Sequence, residues 1–253
     1  MSSVENRAGS MHSGSRSKHD QQPAFVLHSY PFRETSVIVE AFTRDAGRVA
    51  LVARGARRPK SALRGVLRAF QPLLLSWGGK GELRTLHKAE WHGAYTPLGG
   101  LSLICGFYLN ELLLKFLARD DPHERLFAVY QETLNGLAAQ GESAATLRRF
   151  EKHLLGELGY GLILDRDAET GAPIAAETRY TYVVERGPVA RQVEEAANGV
   201  ELSGQTLIDM QSDIYTTTAT LQQSKALMRA LINHYIGDRT LHTRQLLRDL
   251  RAL

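Results

Sequence analysis

The densest group of side chains that could do chemistry lies between Arg44 and Arg68. Eight residues in this window are basic and one, Asp45, is acidic. The window carries +7 while the whole chain carries +4, so the remaining residues sum to −3. Such a cluster attracts a polyanion such as a nucleic-acid backbone, and the alternative is a solvated charged face. The basic residues are Arg44, Arg48, Arg54, Arg57, Arg58, Lys60, Arg64 and Arg68.

Candidate catalytic groups are scattered along the chain and lack the spacing that catalysis needs. Lys80 lies in the Gly-rich stretch 78–81, which lacks the GxxxxGK[ST] pattern of a phosphate-binding loop, so a hairpin turn is favoured. His87 and His92 are five residues apart, which places them on opposite faces of a strand and disfavours a shared metal. We therefore expect a protein that is not an enzyme, and an enzyme with an unrecognised site is the least favoured alternative.

An acidic trio and a single cysteine are the remaining candidate ligands. Asp165, Asp167 and Glu169 resemble the start of a calcium loop, but the terminal Glu is missing at the expected spacing, so a solvated acidic loop is favoured. Cys105 is the only cysteine, which rules out an intrachain disulfide and a thiolate zinc cluster. It lies in an apolar helical stripe, where we expect a buried small side chain. No cofactor and no metal are predicted.

The pattern of the chain predicts the elements that carry these residues. Residues 1–23 are polar and lack the apolar core of a signal peptide, so we expect a disordered tail and a cytoplasmic protein. Residues 24–98 contain five short β-like runs with Gly-rich connections, which is typical of a small OB-type β-barrel. The runs are Ala24–Ser29, Val37–Phe42, Arg48–Ala53, Leu73–Trp77 and Glu82–Trp91.

In an OB-type barrel the basic window falls on the second hairpin and on the connection after the third strand. These neighbouring surfaces form the groove that binds single strands. Tyr30 and Phe32 are the candidates for stacking on bases, whereas strand alternation predicts Phe70 and Trp77 in the core. The sequence therefore predicts a nucleic-acid groove made of the eight basic side chains together with Tyr30 and Phe32.

A helical domain is predicted for residues 99–253, because the apolar period changes from two to 3.6 residues at this point. The first apolar stretch, residues 101–118, is too polar to span a membrane because Asn110, Glu111 and Lys115 interrupt it. An irregular β-hairpin insertion is expected at about residues 165–200. The predicted fold class is a multidomain α+β protein, with the barrel first and the helices behind it.

An ordered set of short motifs lies along residues 24–161. The motifs are Ala24-Phe25-Val26-Leu27-His28-Ser29, Glu34-Thr35-Ser36, Gly47-Arg48-Val49, Ala53-Arg54-Gly55-Ala56-Arg57, Pro72-Leu73-Leu74-Leu75, Tyr108-Leu109-Asn110-Glu111-Leu112-Leu113, Leu147-Arg148-Arg149-Phe150-Glu151 and Leu158-Gly159-Tyr160-Gly161. No single motif is specific, but the ordered set resembles the RecO family of bacterial recombination mediators.

The resemblance implies an N-terminal OB fold, a helical C-terminal domain and no catalytic turnover. It implies binding to single- and double-stranded DNA and annealing of strands coated by the single-stranded-DNA-binding protein, SSB. It also implies RecR as a partner, RecA as an indirect partner that is loaded onto SSB-coated DNA, and docking of the acidic, hydrophobic C-terminal tail of SSB on the helical domain.

Motif by motif, the resemblance also implies which residues form these sites. The Gly47-Arg48 hairpin and the segment 53–57 would face DNA. The SSB tail would contact a region of the helical domain around the Leu-Arg-Arg-Phe-Glu motif, with Arg148 as the partner of the terminal carboxylate, since a guanidinium binds a carboxylate in bidentate fashion. The predicted tail-binding residues are Arg148, Arg149, Lys115 and Leu155. The alternative for Arg148 is an exposed helical residue paired with Glu151.

The chain departs from the family in one respect. Many members carry a four-cysteine zinc module after the Gly-Tyr-Gly segment, whereas residues 165–186 contain no cysteine here. We expect the hairpin to stand in its place without a metal. The competing interpretation of the whole chain is an RNA-binding OB module in translation or ribosome assembly, since a basic barrel does not distinguish RNA from DNA by sequence alone.

Overall fold

The computed structural model describes residues 18–139, 143–190 and 199–251. A closed five-stranded barrel comes first, with the strands in the order β1-β2-β3-β5-β4. All neighbouring strands are antiparallel except β3 and β5, which pair in parallel through Ala50–Leu83 and Val52–Thr85. The elements are β1 (Lys18–Phe32), β2 (Ser36–Thr43), β3 (Gly47–Ala53), α1 (Leu63–Val66), β4 (Leu73–Gly78) and β5 (Leu83–Trp91).

The barrel closes because apolar residues alternate along each strand and meet inside it. Val39, Leu51, Leu75 and Trp77 are fully buried there. The short helix α1 lies between β3 and β4, and its apolar side chains pack against the same core. This confirms the predicted OB-like barrel.

The disordered tail predicted for residues 1–23 is wrong from Lys18 onward, because β1 begins there and pairs with β4. The His19 ring stacks on the buried Trp77 ring with centroids 4.6 Å apart. The Ser76 hydroxyl donates to Asp20 Oδ1 at 2.7 Å and accepts from the Gln21 backbone N–H. Polar composition suggested disorder, but pairing with β4 supplies partners that a local pattern does not reveal. Residues 1–17 lie outside the described residues.

A helical region with a small antiparallel sheet follows the barrel. The helices are α2 (Gly100–Phe116), α3 (Glu124–Ala138), α4 (Ser143–Glu157), α5 (Gly204–Gln211), α6 (Thr218–Ile236) and α7 (His242–Arg251). The strands β6 (Arg179–Val183), β7 (Gly187–Val189) and β8 (Val200–Ser203) pair in the order β7-β6-β8. The predicted hairpin is confirmed and gains a third strand, while residues 191–198 of the predicted insertion lie outside the described residues.

The barrel and the helices share one core. Phe25, Leu27 and Phe42 project from the outside of the barrel into a cluster formed mainly by α2, α3 and α4. The buried Asn110 side chain of α2 donates to the Leu27 carbonyl at 2.8 Å and accepts from the Tyr130 hydroxyl. Burying a polar amide is tolerated only when it is hydrogen-bonded, so these contacts fix α2 against β1.

Gly47 shows how closely the two parts approach. Its φ is +67°, and a Cβ there would lie 2.0 Å from the carbonyl oxygen of Asp121. The neighbouring Asp120 N–H donates to the Arg48 carbonyl at 2.9 Å. Only glycine fits both the left-handed backbone and the close approach, so the β2–β3 hairpin serves as the joint between the barrel and the segment after α2.

Candidate functional site

The predicted basic window does not form one surface. Arg44 lies in the turn between β2 and β3, where its guanidinium pairs with Asp45 at 2.7 Å. Arg54, Arg57 and Arg58 follow the other end of β3. There the backbone N–H of Arg57 donates to the Thr35 carbonyl at 2.8 Å. Seven residues of β3 separate the two groups, a distance of roughly 20 Å. The window is therefore two separate groups of charges.

Arg48 departs most clearly from the predicted DNA-facing surface, because its side chain packs where the barrel meets the helices. Its guanidinium donates to the Leu114 carbonyl of α2 and lies 3.9 Å from Glu40 Oε2. Burial lowers the pKa of Arg48, and the Glu40 carboxylate opposes that shift. Alternation along β3 turns Arg48 to the face that packs on α2, so its side chain is not placed to meet a phosphate.

The other basic residues after β3 are exposed and lie beside a groove. We call this the barrel groove; it runs over the outer face of β3 and β5 next to the β1–β2 turn. Arg54 and Arg58 flank the half-buried Val52 and the exposed Leu83. The lining residues are Phe32, Arg33, Thr35, Ser36, Val52, Arg54, Gly55, Arg58, Leu83 and Thr85. Exposed Lys60, Arg64 and Arg68 continue the positive charge around α1.

The two aromatic candidates lie on the outer side of β1. Phe32 is half-buried in the groove, and the Arg33 guanidinium lies 5.2 Å from the centre of its ring. The Tyr30 hydroxyl donates to Glu40 Oε1 at 2.9 Å, and its side chain remains 36% exposed. Burial and the Glu40 carboxylate raise the pKa of Tyr30, so the hydroxyl stays protonated at neutral pH. An apolar floor bordered by cations can accept bases on its floor and phosphates on its border.

The buried side chain of Glu40 connects several polar residues on this side of the barrel. It is 3% exposed, and it accepts from Tyr30 and from the Arg119 guanidinium. Arg119 reaches on to Glu82 at 3.5 Å. The buried carboxylate therefore holds Tyr30, Arg48 and Arg119 in one network between the groove and the helices.

A second candidate site lies in the helical region. A cavity of about 250 Å³ opens between α2, α4, α6 and the start of α7, and we call it the helical pocket. Leu101, Leu147 and Leu221 form the apolar part of its wall, and four basic residues also line the pocket. The lining residues are Leu101, Cys105, Tyr108, Ser143, Ala144, Leu147, Arg148, Leu221, Lys225, Arg229 and Arg244. Among these residues none is acidic, so the pocket suits an apolar ligand that carries negative charge.

One hydrogen-bonded chain holds two of the pocket cations. Arg148 Nη2 donates to Glu151 Oε1 at 2.6 Å, and the Tyr108 hydroxyl donates to the same oxygen at 2.7 Å. Arg244 Nη2 donates to the Tyr108 hydroxyl at 2.9 Å and its Nη1 donates to Asn233 Oδ1. Burial raises the pKa of Tyr108, and the Glu151 charge adds to that shift. The phenol thus remains a donor, and the positions of Arg148 and Arg244 are set by the same carboxylate.

Of the four predicted tail-binding residues, only Arg148 lines the pocket. Its predicted alternative is partly right, since it does pair with Glu151, but it is 8% exposed rather than on the surface. Arg149 points away from the pocket, donates to the Asp213 carbonyl at 3.1 Å and lies over the Tyr215 ring. Successive helical residues differ in direction by about 100°, so adjacent arginines face different sides of α4.

Lys115 and Leu155, two other predicted tail-binding residues, do not line the helical pocket either. Lys115 stands roughly 20 Å along α2 from Leu101, close to Glu111 at 4.0 Å. Leu155 is fully buried in the core beneath α4, so a ligand in the pocket does not reach it.

Sequence reasoning missed three cations of the helical pocket. Lys225 and Arg229 follow Leu221 at successive steps of four residues along α6, a spacing that was visible in the sequence. Arg244 comes from α7. Glu111 of α2 holds the first turn of this helix, because its Oε1 accepts the backbone N–H of His242 at 2.8 Å. No local pattern connects Arg244 with Arg148, because Arg244 joins the group only through its contact with Tyr108, which depends on how α7 packs against α2.

Within the acidic trio Asp165 and Glu169 are exposed, as a solvated loop predicts, whereas Asp167 is built into a structured turn. Asp167 is 3% exposed, and its carboxylate accepts the backbone N–H groups of Glu169, Thr170 and Ala190. These hydrogen bonds lower the pKa of Asp167. Within residues 18–139, 143–190 and 199–251, no three His, Cys, Asp or Glu side chains are grouped to hold a metal ion. A membrane-spanning helix is likewise not found among the described residues.

Comparison with known proteins supports the two-part architecture. The family profile described as Recombination protein O N terminal matches residues 18–95, and the profile Recombination protein O C terminal matches residues 100–245. A DNA repair protein RecO from Nitrosospira multiformis is 58% identical over 238 residues, covering 94% of this chain and 98% of that protein. Two further proteins of the same name are similar. One from Aromatoleum aromaticum is 54% identical and one from Ralstonia nicotianae is 53% identical, covering 92% and 94% of this chain and 97% and 88% of their own lengths.

Proposed function

We propose, from the premise that this chain belongs to the RecO family of DNA repair proteins, that it is a non-catalytic cytoplasmic mediator with two separate binding sites. The barrel groove binds DNA backbone and bases, and the helical pocket binds the acidic, hydrophobic C-terminal tail of SSB. Together the two sites bring complementary SSB-coated strands close enough to anneal and, with RecR, help RecA to load. The separation of an exposed basic groove from a built cationic pocket is the observation that supports this proposal.

The barrel groove suits DNA because its charges are exposed and arranged around an apolar floor. Arg54 and Arg58 border the floor, and Arg64 and Arg68 extend the positive surface around α1. Contacts of this kind neutralise phosphates and release counterions without reading sequence. A base can stack on Phe32, with about 1–3 kcal/mol for each base that stacks fully. Sequence-independent binding is what annealing of arbitrary strands requires.

Charge reversal in the groove tests the DNA site. Fluorescence anisotropy with labelled single-stranded DNA should show a loss of about 100-fold in affinity for the double variant Arg54→Glu, Arg58→Glu, because each reversal removes a phosphate contact and adds a repulsion. The matched control is Arg44→Glu, which changes a basic residue at the far end of the same hairpin and should leave the affinity within about threefold. Equal losses in both variants would contradict the groove assignment. Tighter binding to a matched RNA strand than to DNA would favour the RNA-binding alternative.

The helical pocket suits a peptide that ends in an apolar side chain and a carboxylate. Leu101, Leu147 and Leu221 can cover the side chain, and Arg148, Lys225, Arg229 and Arg244 surround the opening. Guanidinium groups that are already oriented by hydrogen bonds lose little freedom when a carboxylate binds. Aspartates that precede the terminus would meet the exposed Lys225 and Arg229.

A peptide-binding assay tests the second site without disturbing the buried pair. The probe is a labelled acidic tail peptide: consecutive aspartates, then apolar residues and a free C-terminal carboxylate. The double variant Lys225→Ala, Arg229→Ala should bind it about tenfold or more weakly, since both cations border the pocket. The control Arg149→Ala lies on the other side of α4 and should bind normally. Lack of affinity of the wild-type protein for the peptide would reject the tail-docking proposal and leave the DNA site standing.

Tail docking explains how the two sites cooperate. A tail held in the helical pocket keeps SSB and its bound strand tethered to the protein, which raises the effective concentration of DNA at the barrel groove. The groove and the pocket use different residues, so one protein can hold both ligands at once. The annealing rate of SSB-coated strands should therefore fall when either site is altered, whereas annealing of naked strands should depend on the groove alone.

A further inference from the structure

Glu151 is the most deeply buried charged side chain next to the helical pocket. It is fully buried on α4, and its Oε1 accepts hydrogen bonds from Arg148 and Tyr108 at 2.6 and 2.7 Å. Its Oε2 is buried and has no hydrogen-bond partner among the described residues. Burial of a carboxylate costs free energy unless charge and hydrogen bonds compensate it. Arg148 is the ion-pair partner that provides this compensation.

Arg148 consequently has two roles that compete. It lines the pocket, where the proposed peptide carboxylate would need it, and it also neutralises Glu151 behind the pocket wall. A second carboxylate brought to the same guanidinium lies close to the first, and like charges a few ångströms apart repel. The Tyr108 hydroxyl extends the effect, since it joins Arg244 to the same Glu151 oxygen.

We propose that Glu151 is a resident carboxylate that positions Arg148 and Tyr108 for ligand binding and, at the same time, weakens the hold of the pocket on a peptide carboxylate. Glu151 is a positioning residue, because it is fully buried and does not line the pocket. The inference rests on the proposed docking of a carboxylate-terminated peptide. It adds that the buried charge of Glu151 lowers the affinity of the helical pocket for the peptide carboxylate. A lower affinity favours release of the tail after the strand has been delivered.

The variant Glu151→Gln separates the charge of this residue from its geometry. An amide oxygen can still accept from Arg148 and Tyr108, so both side chains keep their positions, while the negative charge is lost. Arg148 is then without its counter-ion at an 8% exposed site, and the peptide carboxylate supplies one. Anisotropy with the acidic tail peptide should show binding about fivefold to tenfold tighter than in the wild-type protein. The gain should be smaller for the same peptide with an amidated C-terminus.

The matched control is Glu157→Gln on the same helix. It makes the same change of net charge but lies beside His123, away from the pocket. It should change peptide affinity by less than about twofold. Unchanged or weaker binding of the free-acid peptide by folded Glu151→Gln would overturn the proposal, as would equal gains in the two variants.

A second variant keeps the test decisive if Glu151→Gln does not fold. Glu151→Asp retains the charge but moves it away from Arg148 by one methylene. The repulsion of the peptide carboxylate therefore persists, while Arg148 and Tyr108 are no longer held in position. It should bind the free-acid peptide about threefold or more weakly than the wild-type protein. Wild-type affinity in Glu151→Asp would contradict the positioning role. Failure of the wild-type protein to bind the peptide would instead reject the underlying function, so the two failures are distinguishable.

Discussion

The barrel groove and the helical pocket are both basic, but they hold their cations in different ways. In the groove, Arg54 and Arg58 project from a surface loop into solvent. In the pocket, Arg148 and Arg244 are fixed by Glu151, Tyr108 and Asn233. The first arrangement suits a polyanion of any sequence, because mobile cations can follow an irregular phosphate chain. The second suits one defined chemical group, because oriented donors favour a ligand of matching geometry.

Removing a cation should cost far more stability in the pocket than in the groove. Arg148→Ala should lower the free energy of unfolding by about 3 kcal/mol or more, because it leaves Glu151 buried without a counter-ion. Arg54→Ala, in the groove, should change it by less than about 0.5 kcal/mol. Urea denaturation measures both. Adding Glu151→Gln to Arg148→Ala should recover a large part of the loss, and lack of recovery would show that the charge of Glu151 is not the cause.

The affinities of the two sites for their ligands should depend differently on salt concentration. If five groove cations contact phosphates, log K for single-stranded DNA should fall with log salt with a slope of about −3 to −5. Affinity then drops by about two to three orders of magnitude between about 50 and 200 mM salt. Peptide binding in the pocket should fall by only about tenfold or less over this range, since fewer and more buried charges take part. Anisotropy titrations of both probes across one salt series make the measurement, and equal slopes would contradict the idea that the two sites hold their cations differently.

A smaller effect is expected at the junction between the two regions. Arg48→Ala removes a guanidinium that bonds the Leu114 carbonyl and lies near Glu40, so the free energy of unfolding should fall by about 1–3 kcal/mol. DNA affinity should stay within about twofold of the wild-type value. Loss of DNA binding in a stable Arg48→Ala protein would show that the hairpin arginine faces DNA after all.

The smallest expected effect concerns pH and the turn around Asp167. Its pKa is lowered in the folded protein by backbone N–H donors, so its stabilising contribution is fully present above the ordinary Asp pKa of about 3.9 and is lost as the pH falls through the lowered value. Asp167→Asn should reduce stability at neutral pH, and the difference from the wild-type protein should shrink below about pH 4. Thermal melts at neutral and acidic pH compare the two proteins. A difference that does not change with pH would mean that the charge of Asp167 is not involved.

Much of the architecture could be predicted from local pattern. Alternation of apolar residues located the barrel strands, and the change to a 3.6-residue period at residue 99 located the start of the helical region, where α2 begins at Gly100. The prediction was wrong where a distant partner overrides local composition, as in residues 18–23, whose polar sequence pairs with β4. The family resemblance is confirmed. It pointed to the helix that carries Arg148, but it grouped Arg149 with Arg148 although the two side chains face different sides of α4.

The order of the elements, the positive window that begins at Arg44 and the lack of a four-cysteine module can all be read from the sequence, because they depend on residue type and spacing along the chain. Which of these charges are exposed to a ligand depends instead on the packing of the whole chain. Arg48 and Arg54 lie six residues apart, yet one packs on α2 and the other faces solvent, since burial depends on what a strand packs against. The helical pocket likewise needs α2, α4, α6 and α7 together. Its cations come from three different helices and meet only because the shared apolar core brings those helices into contact.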